Sequence, residues 1–229
     1  MCIRDSYLEA LSHGEREATE KLLANQNIAY SETTTTAIQM AIMRALVSDD
    51  VLREVLYLFS LCAPESLPME VAVEFVQSRI TGQSAELIKT KLFKASLLSC
   101  LQDKDGTYAF LRTHPIVHEV LKAVITSKID STDRIQCISI VIEIFQYLIA
   151  KNRNLLHSSR HVFAKLRLIM SHCKELHVIV NNDFTESKMF LNAITPRKLV
   201  LWLSLTADVC CNLSNLSDAY LFNLSLIHI

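Results

Sequence analysis

Glycine is almost missing from this chain, with three residues in 229, Gly14, Gly82 and Gly106, none of them near another. That isolation excludes a glycine-rich phosphate loop of the form G-x-x-x-x-G-K-[ST] and the G-x-S-x-G turn of a serine hydrolase. No H-E-x-x-H metalloprotease motif occurs either. With no catalytic constellation in view, the chain reads as non-enzymatic. Proline is equally scarce, only Pro64, Pro68, Pro115 and Pro196, so long helices are expected. A net charge of −1 and an isoelectric point near 6.7 leave no broad basic field for nucleic acid or an anionic membrane. The cysteines lack CxxC pairs. Apart from Cys2 they are Cys62, Cys100, Cys137, Cys173, Cys210 and Cys211, scattered among apolar residues. They read as buried, reduced thiols of a cytoplasmic protein.

What is present is hydrophobicity. Half of the residues are apolar, and they recur at helical spacing more than in strand alternation. YLEALSHGEREATEKLLANQ reads as a charged surface helix within residues 7–35. From Thr36, Ile38, Ile42, Ala45 and Leu46 form one helical stripe. Asp49 or Asp50 is placed to cap VLREVLYLFSL, and Pro64 to stop it. Pro68 opens LPMEVAVEFVQSRI, Gly82 closes it, and Ser84 begins SAELIKTKLFKAS. LLSCLQDKDGTYAFL then sets two apolar runs around Asp105-Gly106, a hairpin signal. Helix, helix, short turn, helix and hairpin is the winged-helix order.

After Asp130 the pattern is helical throughout: DRIQCISIVIEIFQYLIA, then SSRHVFAKLRLIMSHCKELHVIV up to a polar break at NNDFTES, then a last helix behind Pro196 running to Phe222. The apolar run from Ile135 is about 16 residues long, against the roughly 20 a bilayer needs, and it carries Gln136, Glu143 and Gln146. It is expected to be a buried helix, not a membrane span. The predicted class is therefore mainly α: a winged-helix domain with a small β-hairpin wing, followed by an α-helical bundle or solenoid-like half.

The terminal hexapeptides MCIRDS and LSLIHI stand apart. Codons ATG TGT ATA AGA GAC AG encode the first, and their reverse complement CTGTCTCTTATACACAT reads Leu-Ser-Leu-Ile-His before an AT-initial codon. One DNA element, similar to the ends that transposase-based sequencing libraries attach, accounts for both. Residues 1–6 and 224–229 are accordingly read as scar, and 7–223 as an internal piece of a longer protein.

Residues 36–128 resemble the winged-helix segment that follows the nucleotide-binding core in NB-ARC proteins, STAND-class signalling NTPases of disease-resistance and apoptosome-type switches. LREVLYLFSLCAPESLPMEVAVEFV is similar to the family's helix, cysteine-and-proline loop and second helix. LIKTKLFKASLLSCLQDKDGTYAFL is similar to its short helix and wing. RTHPIVHEVL overlies its MHDLVHDL signature, with Thr113 in the Met place, His114 in the His place, Pro115 in the Asp place and His118 at the second His. The resemblance implies that His114 reaches the β-phosphate of ADP in the closed state. The cofactor would be ADP or ATP held with an upstream nucleotide-binding domain of the same chain, and none would be held by this part alone. It also implies signal transduction of the innate-immunity or apoptosis kind. Residues 7–35 would end an upstream helical subdomain and 129–195 would form a helical connector. Residues 196–223 would begin tetratricopeptide-like repeats that bind protein partners, with Leu203, Ala207, Ser214, Leu216 and Ala219 at the repeat's large and small positions.

Two other readings stay open. Lys89, Lys91 and Lys94 lie on the helix that a DNA-binding winged helix would insert in the major groove, though they do not share a face and no arginine accompanies them. A helical interaction scaffold with no nucleotide-linked role would have the same pattern. His157, His161, Cys173 and His177 form H-x3-H and C-x3-H pairs, but two pairs on one continuous helix cannot converge, and no metal is assigned. The sequons at Asn212 and Asn215 are given little weight, since no signal peptide is present in this window and such tripeptides are common by chance.

Overall fold

The structure, a computed structural model, describes residues 34–102, 109–155, 160–186, 194–213, 215, 218, 219, 222 and 223. Both terminal hexapeptides, the 7–33 segment, the Asp105-Gly106 turn, His157, Ser214 and Leu216 lie outside the described residues. The chain divides into two units, Met1–Ala41 and Ile42–Ile229. Of the first, only 34–41 is described, as the opening turns of helix α1, which runs over 34–48. The second unit carries all the remaining elements. Ile42 and Ala45 of the apolar stripe are buried there.

Capping sets the boundaries of the next helices. α2 (Asp50–Ser60) starts at Asp49, whose Oδ1 accepts hydrogen bonds from Val51 N (2.8 Å) and Leu52 N (3.2 Å), two donors that a helix start leaves unpaired. It ends ahead of Pro64. A short strand, β1 (Leu67–Pro68), then leads into α3 (Met69–Arg79), with Pro68 as its N-cap. α3 ends at Arg79 and not at Gly82, since Ile80 is already extended. Gly82 sits in the following turn at φ +81, a left-handed conformation that side chains resist. Ser84 caps α4 (Ala85–Lys94), its Oγ accepting from Leu87 N at 3.2 Å.

The two apolar runs form β2 (Ser99–Gln102) and β3 (Ala109–Arg112), paired antiparallel. β1 adds on the other side of β3, giving the order β1-β3-β2 with Leu67 opposite Leu111 and Pro68 opposite Phe110. A two-residue strand ending in proline offers no alternation to read, and an edge is where such a residue is tolerated. Leu111, in the central strand, is fully buried.

α5 (Pro115–Lys128) follows the sheet, and Ile129–Asp130 joins it to α6 (Ser131–Asn152), where Asp130 Oδ1 accepts from Thr132 N at 2.7 Å. A 3-10 turn, Arg153–Leu155, precedes α7 (Arg160–Glu186) and then α8 (Pro196–Asn212). α7 continues through the polar residues where a break was expected, because neither glycine nor proline interrupts it. α8 starts at Pro196 as expected but stops at Asn212. The Asn215 N–H donates to Cys210 O (2.9 Å) and the Ala219 N–H to Asn215 O (3.1 Å), so the backbone turns where one long helix was expected.

The fold is mainly helical with a small three-stranded antiparallel sheet. α6 is its centre, packed on α2, α3, α7 and α8 and burying Ile138, Val141, Ile142, Phe145 and Ile149. Among the described residues it is the one helix long and apolar enough to cross a membrane, and half of that window is buried inside the fold. Asp49→Ala removes the α2 cap and its ion pair with Lys91 (2.9 Å). It is expected to lower the unfolding free energy by about 1 kcal/mol, read as a shifted denaturant midpoint with unchanged slope.

Candidate functional site

His114 lies where β3 hands over to α5. Thr113 turns inward and is buried, its Oγ1 3.5 Å from Leu97 O. His114 is exposed. Its Nδ1 accepts a hydrogen bond from Ile116 N (3.3 Å), which makes it the N-cap of α5, and Pro115 takes the first helical position, where no N–H is needed. A neutral imidazole whose Nδ1 accepts carries its proton on Nε2. The exposed ring thus keeps a donor at a helix end that favours anions.

His118, one turn on, is buried. Its Nε2–H donates to Phe59 O (3.0 Å) and Cys62 O (2.8 Å), tying α5 to the end of α2. His172 of α7 is fully buried, donates from Nε2 to Ser66 O (3.1 Å) and stacks on Phe145 with ring centroids 6.4 Å apart. Its Nδ1 has no hydrogen-bond partner among the described residues. Burial pushes both imidazoles below their ordinary value of 6.5, and the accepting carbonyls offset only part of this. The two histidines of RTHPIVHEVL therefore do different work: one faces solvent and the other holds the fold.

The remaining sequence candidates do not gather around His114. Lys89 pairs with Glu86 (2.9 Å) and Lys91 with Asp49, while Lys94 is exposed. Two of the three lysines on the candidate recognition helix, α4, are thus held by carboxylates of this chain. His161 and Cys173 lie on one unbroken helix, about 18 Å apart along its axis at about 1.5 Å per residue. Two surface clefts are lined by other residues. One, of about 600 Å³, lies between α3, α4 and the sheet and includes Glu74, Phe93 and Phe110. The other, of about 790 Å³, lies beside α7 and includes Phe163, Arg167 and Met170. The thiols of Cys62, Cys137, Cys173 and Cys210 are buried, Cys100 is half-buried and Cys211 is exposed. Burial pushes Cys137, Cys173 and Cys210 up to about 12, far from the range of a nucleophile.

One cluster escapes sequence reasoning. Glu54 of α2 is 3% exposed, and its Oε2 accepts from Arg79 Nε at 2.9 Å while Oε1 accepts from Arg53 Nε at 3.3 Å. Arg79 goes on to donate from Nη2 to Asp133 Oδ1 (2.5 Å) and from Nη1 to Gln136 Oε1 (2.9 Å), both on α6. Burial works against the Arg79 charge, but the Glu54 and Asp133 carboxylates outweigh it and hold the guanidinium above its ordinary range. The available signal is Glu54 itself, a carboxylate on a helical stripe between the fully buried Val51, Val55 and Leu58. Its partner, an arginine 25 residues away, leaves no pattern.

No family model, curated protein or solved structure matches the chain.

The buried histidines set an acid limit. His118, His172 and His177 titrate below 6.5 when folded and at about 6.5 when unfolded, so the unfolded chain binds more protons as pH falls. Their contribution is complete above about pH 6.5 and is lost progressively below it. Thermal melts are expected to show a falling midpoint from pH 7 toward about pH 5. His118→Gln with His172→Gln, which keeps a donor near each Nε2 position, is expected to flatten that slope.

Proposed function

We propose that this chain is the non-catalytic regulatory part of a STAND-class, NB-ARC-type signalling NTPase. In this reading residues 36–128 are its winged-helix domain and 129–195 its helical connector, with 196–223 the start of tetratricopeptide-like repeats that bind proteins. The chain works in the cytoplasm beside an upstream nucleotide-binding domain of the same polypeptide. The resemblance of RTHPIVHEVL to the family's signature supports it, as does the order α2, α3, α4 and hairpin.

The observation that carries the reading is the exposed His114 at the start of α5, with Nδ1 engaged and Nε2–H left as a donor. A phosphate oxygen of ADP accepts such a bond, and the helix end adds favourable potential. Pro115 supplies no carboxylate, so His114 is the member of the signature that can reach the phosphate. ADP bridging the core and this domain favours the closed form. Exchange for ATP removes that differential contact and shifts the population toward the open form.

The purified chain is expected to hydrolyse no ATP and to bind no ADP measurably by calorimetry. Turnover by the chain alone would sink the assignment. In the parent polypeptide, His114→Ala is expected to speed ADP release about tenfold, the worth of one charge-assisted hydrogen bond. Unchanged ADP retention would leave a helical scaffold with no nucleotide-linked role.

A further inference from the structure

We propose that Arg79 is a two-sided latch, permanent on Glu54 and releasable from Asp133 and Gln136, that sets how firmly the start of α6 is held against α3. The two sides differ in their access to water. On the inner side the Arg79 and Glu54 side chains are 11% and 4% exposed, whereas on the outer side Asp133 is 31% exposed. Separating Arg79 from Glu54 would leave a carboxylate among Val51, Val55 and Leu58 with only its longer contact to Arg53 Nε (3.3 Å), and an under-compensated buried charge is costly. Separating it from Asp133 and Gln136 returns a partly exposed carboxylate and an exposed amide to water and leaves Arg79 paired with Glu54. The outer side is therefore the one that opens.

The backbone confines what that opening can move. Asp133 and Gln136 sit three residues apart on one edge of α6, directly after the two-residue link Ile129–Asp130. Beyond them Cys137, Ile138 and Val141 are fully buried and keep the rest of α6 seated. Three further polar ties among the described residues run through α7. Lys122 pairs with Glu175, Lys165 with Glu70, and His172 donates to Ser66 O. None of them touches the first turn of α6. Release of the latch thus loosens the α5–α6 junction and the first turn of α6, and leaves α7 docked. Because the outer contact is partly solvated, salt weakens it. None of this requires a nucleotide, so the latch and the nucleotide reading stand or fall separately.

Hydrogen exchange of the whole chain, read by mass spectrometry, tests the latch. Asp133→Asn combined with Gln136→Leu is expected to raise exchange over 131–136 about tenfold, with α2, α3 and α7 unchanged. About 0.5 M salt should move the unmodified chain in the same direction and leave the variant where it is. Asp133 also favours the start of its own helix, so Thr132→Glu is added to restore an acidic first turn. Protection should stay low in that triple variant. Glu54→Gln, which strips the inner side, is expected to raise exchange in every helix of the unit 42–229 or to prevent folding. The latch is overturned if 131–136 stays protected in the double variant, if the loss spreads to every helix there, or if Thr132→Glu restores protection.

Discussion

A carboxylate set in an apolar helix face has to be neutralised where it stands, and Glu54 imposes that demand on everything around it. It brings Arg79 to the last turn of α3, so α3 reaches far enough to place a guanidinium beneath α2. The fork geometry of that guanidinium leaves two nitrogens directed at α6. The central helix of the unit therefore takes its register at one end from an ionic geometry. Apolar packing fixes the rest, through Ile138, Val141, Ile142 and Phe145.

A second convergence lies on the loop between α2 and β1. His118 binds the carbonyl of Phe59 in the last turn of α2 and that of Cys62 at the loop's start, and His172 binds that of Ser66 at its end. Two helices far apart in sequence thus hold a segment that has little regular structure of its own. That segment delivers Leu67 and Pro68 to the edge of β3, and β3 in turn delivers Thr113 and His114 to the start of α5. The placement of the exposed imidazole depends on buried ones.

Much of the helical layout was legible because capping is local chemistry. Asp49, Ser84, Asp130 and Thr195 each bond a backbone N–H within three residues, and such short-range logic survives in sequence. β1 was not legible, since two residues cannot display a period, and neither was the turn after Asn212, which contains no glycine or proline. The continuation of α7 through polar residues shows the reverse error, polarity taken for a break. The candidate site divides similarly. The position of His114 at a helix start could be read from Pro115, whereas the burial of His118 could not, since it lies one turn beyond an exposed residue on the same helix face. The contacts of Arg79 could not, because its partners lie 25, 54 and 57 residues away.

The thiols give the chain an internal clock. A thiol held near 12 is almost wholly protonated at neutral pH and reacts with an alkylating reagent only when its surroundings open. Cys137 stands one residue beyond Gln136, on the helix whose first turn Arg79 holds, whereas Cys173 and Cys210 lie in α7 and α8. Exposed Cys211 marks the rate with no barrier. Native cysteines at these depths let one modification time course set the opening of α6, α7 and α8, through Cys137, Cys173 and Cys210, against the unimpeded rate at Cys211, with no label introduced.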